Sequence, residues 1–295
     1  MIELTAERAL KVQAELGEGP LWDHKEKVLW WVDITAKKVH RFDPKSGKDN
    51  SWNVGQMVGT VVCRKKGGLM LALEDGFAEF DVQSGAVKFV ADPESNKPDN
   101  RFNDGKCDPA GRFWAGTMNK GDALELRTGA LYSLDENLSV KKQVELVGVS
   151  NGIVWSADAK SMYYIDTASM AVDVFDYDNE VGAISNRRSV FKVPSEMGVP
   201  DGMAIDNQDK LWVAFWGGWQ VARICPLERK VIATIKLPAA YVTACAFGGE
   251  SLDQMFITTA SIGLSEEDSA KQPMAGDLFL AQPGVHGVKP HYFAG

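Results

Sequence analysis

Apolar residues along this chain come in short bursts of alternating or continuous character, separated by clusters of Asp, Gly, Ser and Asn. That pattern predicts short strands joined by tight turns. Long stretches with a 3.6-residue period are absent, which argues against a two-domain α/β arrangement. Five segments share one grammar: a small polar motif, about five residues, an Asp- or Gly-type turn, then an aromatic-led apolar strand. They are EGPLWDHKEKVLWWVD from Glu18, NDGKCDPAGRFWAGT from Asn103, NGIVWSADAKSMYYID from Asn151, DGMAIDNQDKLWVAF from Asp201 and TACAFGGESLDQMFITT from Thr243. A weaker copy, GTVVCRKKGGLMLAL, starts at Gly59.

Successive copies are spaced by 41, 44, 48, 50 and 42 residues. Six units of this length, each holding several strands, match the blades of a propeller. A second alternating strand follows each leading one, as in KKVHRFDPKSGK, AEFDVQSGAVK and GALYSLDENLSVK, and each ends in a hairpin-type turn. A β-sandwich has no reason to repeat one motif six times. The expectation is therefore an all-β, six-bladed β-propeller formed as a single domain by residues 1–295. A ring must also hide its open edges. The stretches ERALKVQAEL and GVKPHYFAG are the candidates for that seam.

Hydrophobic residues make up 45% and charged residues 24% of the chain, which excludes a disordered or fibrous protein. The net charge of −8 disfavours nucleic acid as a partner, because a phosphate backbone needs clustered Lys and Arg. No apolar run reaches the roughly 18 residues of a membrane span, and the first residues lack the pattern of a secretory signal. The four cysteines, Cys63, Cys107, Cys225 and Cys245, are widely spaced and form no CxxC pair, so a disulfide framework or zinc knuckle is not expected. These readings point to a reduced, cytoplasmic protein, monomeric or weakly oligomeric.

In a propeller the first strand of each blade lines the central channel, so equivalent repeat positions face one axis. Five residues before Asp23, Asp108, Ser156 and Asp206 stand Glu18, Asn103, Asn151 and Asp201. Two carboxylates and two amides would thus meet near one mouth. An all-oxygen set suits a hard divalent cation rather than a soft one. Glu18 and Asp201 match its charge, and Asn151, with or without Asn103, adds neutral oxygen. Fewer than six protein ligands would leave positions for water, as in a catalytic site. Asn-Gly and Asp-Gly are also ordinary turn dipeptides, but four polar residues at one register point of a repeat outweigh that explanation.

The segments LGEGPLWD at 16–23, NRFNDGKCDPAGRFWAGTM at 100–118, SNGIVWS at 150–156, PDGMAID at 200–206 and KLWVAFWGG at 210–218 carry a resemblance. The chain resembles the SMP-30/gluconolactonase/luciferin-regenerating enzyme family over nearly its whole length, nearest the regucalcin (senescence marker protein 30) branch. The resemblance implies a six-bladed propeller with one divalent metal, calcium or zinc ahead of manganese or magnesium. It also implies lactonase activity on aldonolactones, so the expected partner is a small sugar lactone. Carried over by position, the metal ligands fall on Glu18, Asn151 and Asp201, and the substrate contacts on Arg101 and Asn103. Asp201 would double as general base, with Glu18 as the next candidate. One departure stands in the loop after GTM, which is shorter than in animal members and has Gly121 where those members have a substrate-touching Glu. Asp122 or Glu125 is the nearby replacement. Two other readings compete: a calcium-binding regulatory protein without turnover, and phosphoester hydrolysis as a side activity.

Two motifs point elsewhere. Gly148–Gly152 matches GxSxG, but a strand rather than a helix is expected to follow, and none of the four histidines starts an inner strand. Asp176–Glu180 hints at a calcium loop, yet Gly182 is one position late and Arg187 occupies the place of the bidentate Glu. A hairpin turn explains it. The Trp and Tyr leading the second strands are expected to pack between blades, with Trp216 or Trp219 walling the mouth.

Overall fold

The computed structural model describes residues 2–295. Six sheets, antiparallel but for one added strand, stand around one axis, and their innermost strands are Gly17–Asp23, Val58–Cys63, Asn100–Cys107, Ser150–Trp155, Val199–Ile205 and Val242–Gly248. These strands are numbered here as blades 1 to 6. Each packs against its neighbours, and blade 6 packs back onto blade 1, so the ring closes. This is the six-bladed propeller that the repeat predicts.

Blades 1 to 4 are four-stranded meanders in chain order. The closure of the ring uses the N-terminal segment. Glu7–Leu10 forms the outermost strand of blade 6, antiparallel to Leu278–Ala281. Ile2–Thr5 adds in parallel to Lys230–Lys236, the fourth strand of blade 5. The other expected seam segment does not join a blade. Residues 287–295 run as a strap across the end of the channel, making only single bridges, Gly287 to Asp206 and Phe293 to Arg64. Pro290 has no N–H for a ladder, and the outer edge of blade 6 is already taken by Glu7–Leu10.

In blades 1, 3 and 5 the repeated acid at the end of the inner strand builds the turn after it. Asp23 accepts from the N–H groups of Lys25 and Glu26, Asp108 from Gly111 and Arg112, and Asp206 from Gln208 and Lys210. Two of these acids also anchor the second strand, since Trp114 Nε1 donates to Asp108 at 2.8 Å and Trp212 Nε1 to Asp206 at 3.0 Å. The core then fills the wedges between blades, with Trp31, Trp114, Trp212 and Tyr164 wholly buried. All four cysteines are free thiols in this core, and no helix among the described residues is long and apolar enough to cross a membrane.

Candidate functional site

All six inner strands break register with their neighbours at the same height. The shifts fall between Glu18 and Leu21, Val58 and Thr60, Phe102 and Gly105, Ser150 and Ile153, Pro200 and Met203, and Val242 and Ala244. A bulge re-aims side chains that an unbroken strand would alternate between faces. The predicted residues Asn103, Asn151 and Asp201 lie within these bulges, and Glu18 stands at the edge of its own. Small residues are needed beside them. A Cβ on Gly152 would sit 2.5 Å from Met203 Cβ and 2.9 Å from the carbonyl oxygen of Asp201. At Gly59, the blade 2 counterpart, a Cβ would collide with the backbone of Phe102 and Asn103. The weaker copy has no polar side chain there because its neighbour occupies the space.

The predicted residues are joined by a chain of hydrogen bonds. Arg101 Nη1 donates to Asn103 Oδ1 at 2.7 Å and to the Phe102 carbonyl. A guanidinium can only donate, which settles the orientation of the Asn103 amide. Asn103 Nδ2 in turn donates to the Ser150 carbonyl at 2.9 Å and to Asn151 Oδ1 at 3.1 Å. Asn151 Nδ2 donates to Thr167 Oγ1, and that hydroxyl donates to the carbonyl of Pro200, each at 2.8 Å. The chain ends one residue before Asp201. Asn103 therefore turns its oxygen to Arg101 and its N–H to Asn151.

Glu18 and Asp201 are both buried in the channel, and the Glu18 carboxyl bears on that of Asp201. Glu18 also accepts from the N–H of Gly19 at 2.8 Å. Burial pushes the Glu18 carboxyl up to about 8; Asp104 adds to the rise, while Gly19, Arg101 and Lys106 oppose it. Asp201 is raised well above the usual carboxylate range by burial, then by Glu18 and Asp104. Arg101 is lowered to about 10 by burial, against the pull of Glu18, Glu74 and Asp201. It stays cationic at neutral pH.

Two participants were not foreseen from the repeat. Asp104 shares the blade 3 bulge with Asn103, and burial raises its carboxyl. Lys106, also on blade 3, reaches across the channel to donate to the Met203 carbonyl of blade 5 at 2.6 Å. The NDGK tetrapeptide holds both, but repeat alignment selects one position per blade. In the loop after GTM, Asp122 is exposed and caps the short helix Ala123–Leu126, Glu125 is exposed, and Lys120 pairs with Glu74 at 2.6 Å. Neither acid makes a hydrogen bond to Arg101 or Asn103.

Among the described residues, no group of three or more His, Cys, Asp and Glu side chains is gathered to hold a metal. The candidate set has two carboxylates and an amide. The decoys hold no site. Ser150 lies on a strand, wholly buried, accepting from Tyr164 Oη at 2.8 Å. Asp178 caps a hairpin turn through the Glu180 N–H. Trp216 stacks on Tyr241 with centroids 4.1 Å apart, and Trp219 is exposed.

A family model described as the SMP-30/gluconolactonase/LRE-like region matches residues 16–261. Regucalcin of Gallus gallus is 45% identical over 284 residues, covering 95% of both chains. Regucalcin of Homo sapiens is 41% identical over 299 residues and covers all of both. A solved luciferin-regenerating enzyme is 31% identical and superposes with a TM-score of 0.92, covering 98% of this chain and 99% of that one.

Proposed function

Because the chain belongs to the SMP-30/gluconolactonase/LRE-like family, we propose that it is a divalent-metal-dependent sugar lactonase that opens aldonolactones to aldonic acids. The observation that carries this reading is the pair of buried, electrostatically coupled carboxyls Glu18 and Asp201 at one mouth. With Asp104 behind them, three buried carboxylates face two cations, Arg101 and Lys106. Ionised together, these carboxylates outnumber the cations, and their donors at the mouth are oxygen. The residues fit a hard divalent cation, calcium or zinc first and manganese or magnesium next. Glu18, Asn151 and Asp201 would hold it, and when bound it supplies Lewis-acid polarisation of the lactone carbonyl.

The chain's own groups do the rest. Arg101 keeps N–H donors beyond those used by its Nη1, and these orient the polyol. Asn103 locks Arg101 to Asn151 and so sets the substrate contact relative to the carboxylates. Asp201 takes the proton of the attacking water; the ring C–O bond breaks, and the proton passes to the departing alkoxide oxygen. Glu18 is the alternative base.

A pH-indicator screen of glucono-, galactono-, xylono- and arabinonolactone with Ca²⁺, Zn²⁺, Mn²⁺ and Mg²⁺ tests the proposal. Turnover with a clear metal order, abolished by chelation and restored by metal, is expected. Metal binding without turnover of any lactone would instead favour a calcium-binding regulatory protein.

A further inference from the structure

The channel has a second chamber at the end away from the candidate site. Its walls are inner-strand residues of five blades, chiefly Leu21, Trp22, Val154, Trp155, Ile205 and Phe247, and the strap residues Val288–His291 close one side. Its volume is about 80 Å³, several times the roughly 10–15 Å³ that one water requires. Lys106 separates it from the mouth. Around Lys106, Asp104, Thr60 and Met203 the channel narrows to about 10 Å³, room for about one water. That void is too small for a sugar, so a ligand of the chamber does not have to share the mouth.

The chamber's charge is opposite to that of the protein. In a chain of net charge −8, the lining includes Lys106 and Lys289 and no Asp or Glu, while burial holds the lining His291 below the ordinary histidine range. The nearest acids are already engaged: Asp108 accepts from Gly111, Arg112, Trp114 and Tyr177, and Asp23 from Lys25, Glu26 and Tyr292. His24, close by, is held below the ordinary histidine range by burial and by Lys289. The indole N–H of Trp155, a buried wall residue, has no hydrogen-bond partner within the protein.

We infer that this chamber is a binding site for a small aromatic monocarboxylate, its ring against the apolar walls and its carboxylate toward Lys289. Apolar walls supply affinity, and a few placed donors fix orientation. A polyhydroxylated aldonate is excluded, since its hydroxyls would lose water against Leu21, Val154 and Phe247 without partners. The inference does not depend on the lactonase reading.

Benzoate is the probe, titrated against the full chain by calorimetry and tryptophan fluorescence, with benzyl alcohol as its neutral counterpart. Saturable binding of benzoate is expected, with benzyl alcohol weaker. Lys289→Ala should weaken benzoate by about 5-fold, the scale of one partly exposed charge pair, and leave benzyl alcohol unchanged. Ala246→Phe fills the chamber and should abolish binding of both. Val288→Trp fills it from the strap, at a half-buried position outside the inner strands, so it answers the question even where Ala246→Phe fails to fold. Lactone turnover should persist in Val288→Trp. Absence of saturable benzoate binding to the unmodified protein overturns the inference, as does undiminished binding in Val288→Trp. Competition by gluconate would move benzoate to the other mouth and overturn it equally.

Discussion

Replacing Asp201 with Asn keeps an oxygen donor of similar size and removes a charge and a base. With saturating metal, kcat should fall by about 10² or more if Asp201 takes the proton. Recovery to near the unmodified rate at high metal would leave Asp201 as a ligand only and move the base to Glu18. Glu18 makes a separate pH prediction. Its carboxyl binds a proton more tightly folded than unfolded, 8 against 4.5 in round numbers. The stability it contributes is therefore complete below about pH 4.5 and is lost as the pH rises toward 8. Thermal melts of the metal-free protein should show it losing stability relative to Glu18→Gln across that interval. Added calcium should raise Tm more at the alkaline end, where the carboxylates are free to receive it. A profile parallel to that of Glu18→Gln would show that the Glu18 proton is not held.

At the scale of elements, the inner strands are tied to one another by side chains at the height of the bulges. Thr243 Oγ1 donates to the Gly17 carbonyl, Thr60 Oγ1 to that of Gly105, Asn103 to that of Ser150 and Thr167 to that of Pro200. These bonds join blades 6 to 1, 2 to 3, 3 to 4 and 4 to 5. Thr167→Val keeps the shape and leaves Asn151 Nδ2 and the Pro200 carbonyl without their partner. A cost of about 1–3 kcal/mol in denaturant unfolding is expected, the usual scale for orphaned buried polar groups. Weaker metal affinity should accompany it, measured by calorimetry, because both Asn151 and Asp201 lose their support. Gly152→Ala tests the same region sterically: its methyl meets Met203 Cβ, so the blade 5 bulge must shift and lactone turnover should fall. Unchanged kinetics would mean that the bulge tolerates the displacement.

For the whole molecule, stability comes from the wedges between blades and from closure of the ring. Removing residues 2–10 strips the outer strands from blades 5 and 6 and bares two sheet edges. Lower Tm and concentration-dependent association, read by light scattering, should follow. A bound metal adds to stability by mass action, about 2.7 kcal/mol at a hundredfold excess over Kd. Chelation is therefore expected to abolish turnover while the near-ultraviolet spectrum survives. Outright unfolding on chelation would make the site structural and remove the catalytic reading.

The repeat was legible because each blade solves the same problem with the same residues. Asp23, Asp108 and Asp206 each close an inner strand and cap the turn that follows, and local chemistry of that kind leaves its mark in three of the six copies. The same register singled out Glu18, Asn103, Asn151 and Asp201, since positions equivalent in the repeat are equivalent about the axis. Other features have no such mark. Asp104 and Lys106 occupy the channel in one blade alone, so no comparison between copies exposes them. The orientation of Asn103 depends on Arg101, and the support of Asp201 on Thr167 of the preceding blade, contacts that exist only once the sheets stand side by side. GVKPHYFAG reads as a strand by composition, yet the edge it would pair with is occupied by residues from the far end of the chain. Periodicity is a property of neighbours in sequence. Who fills an edge, a wedge or a channel is decided by neighbours in space.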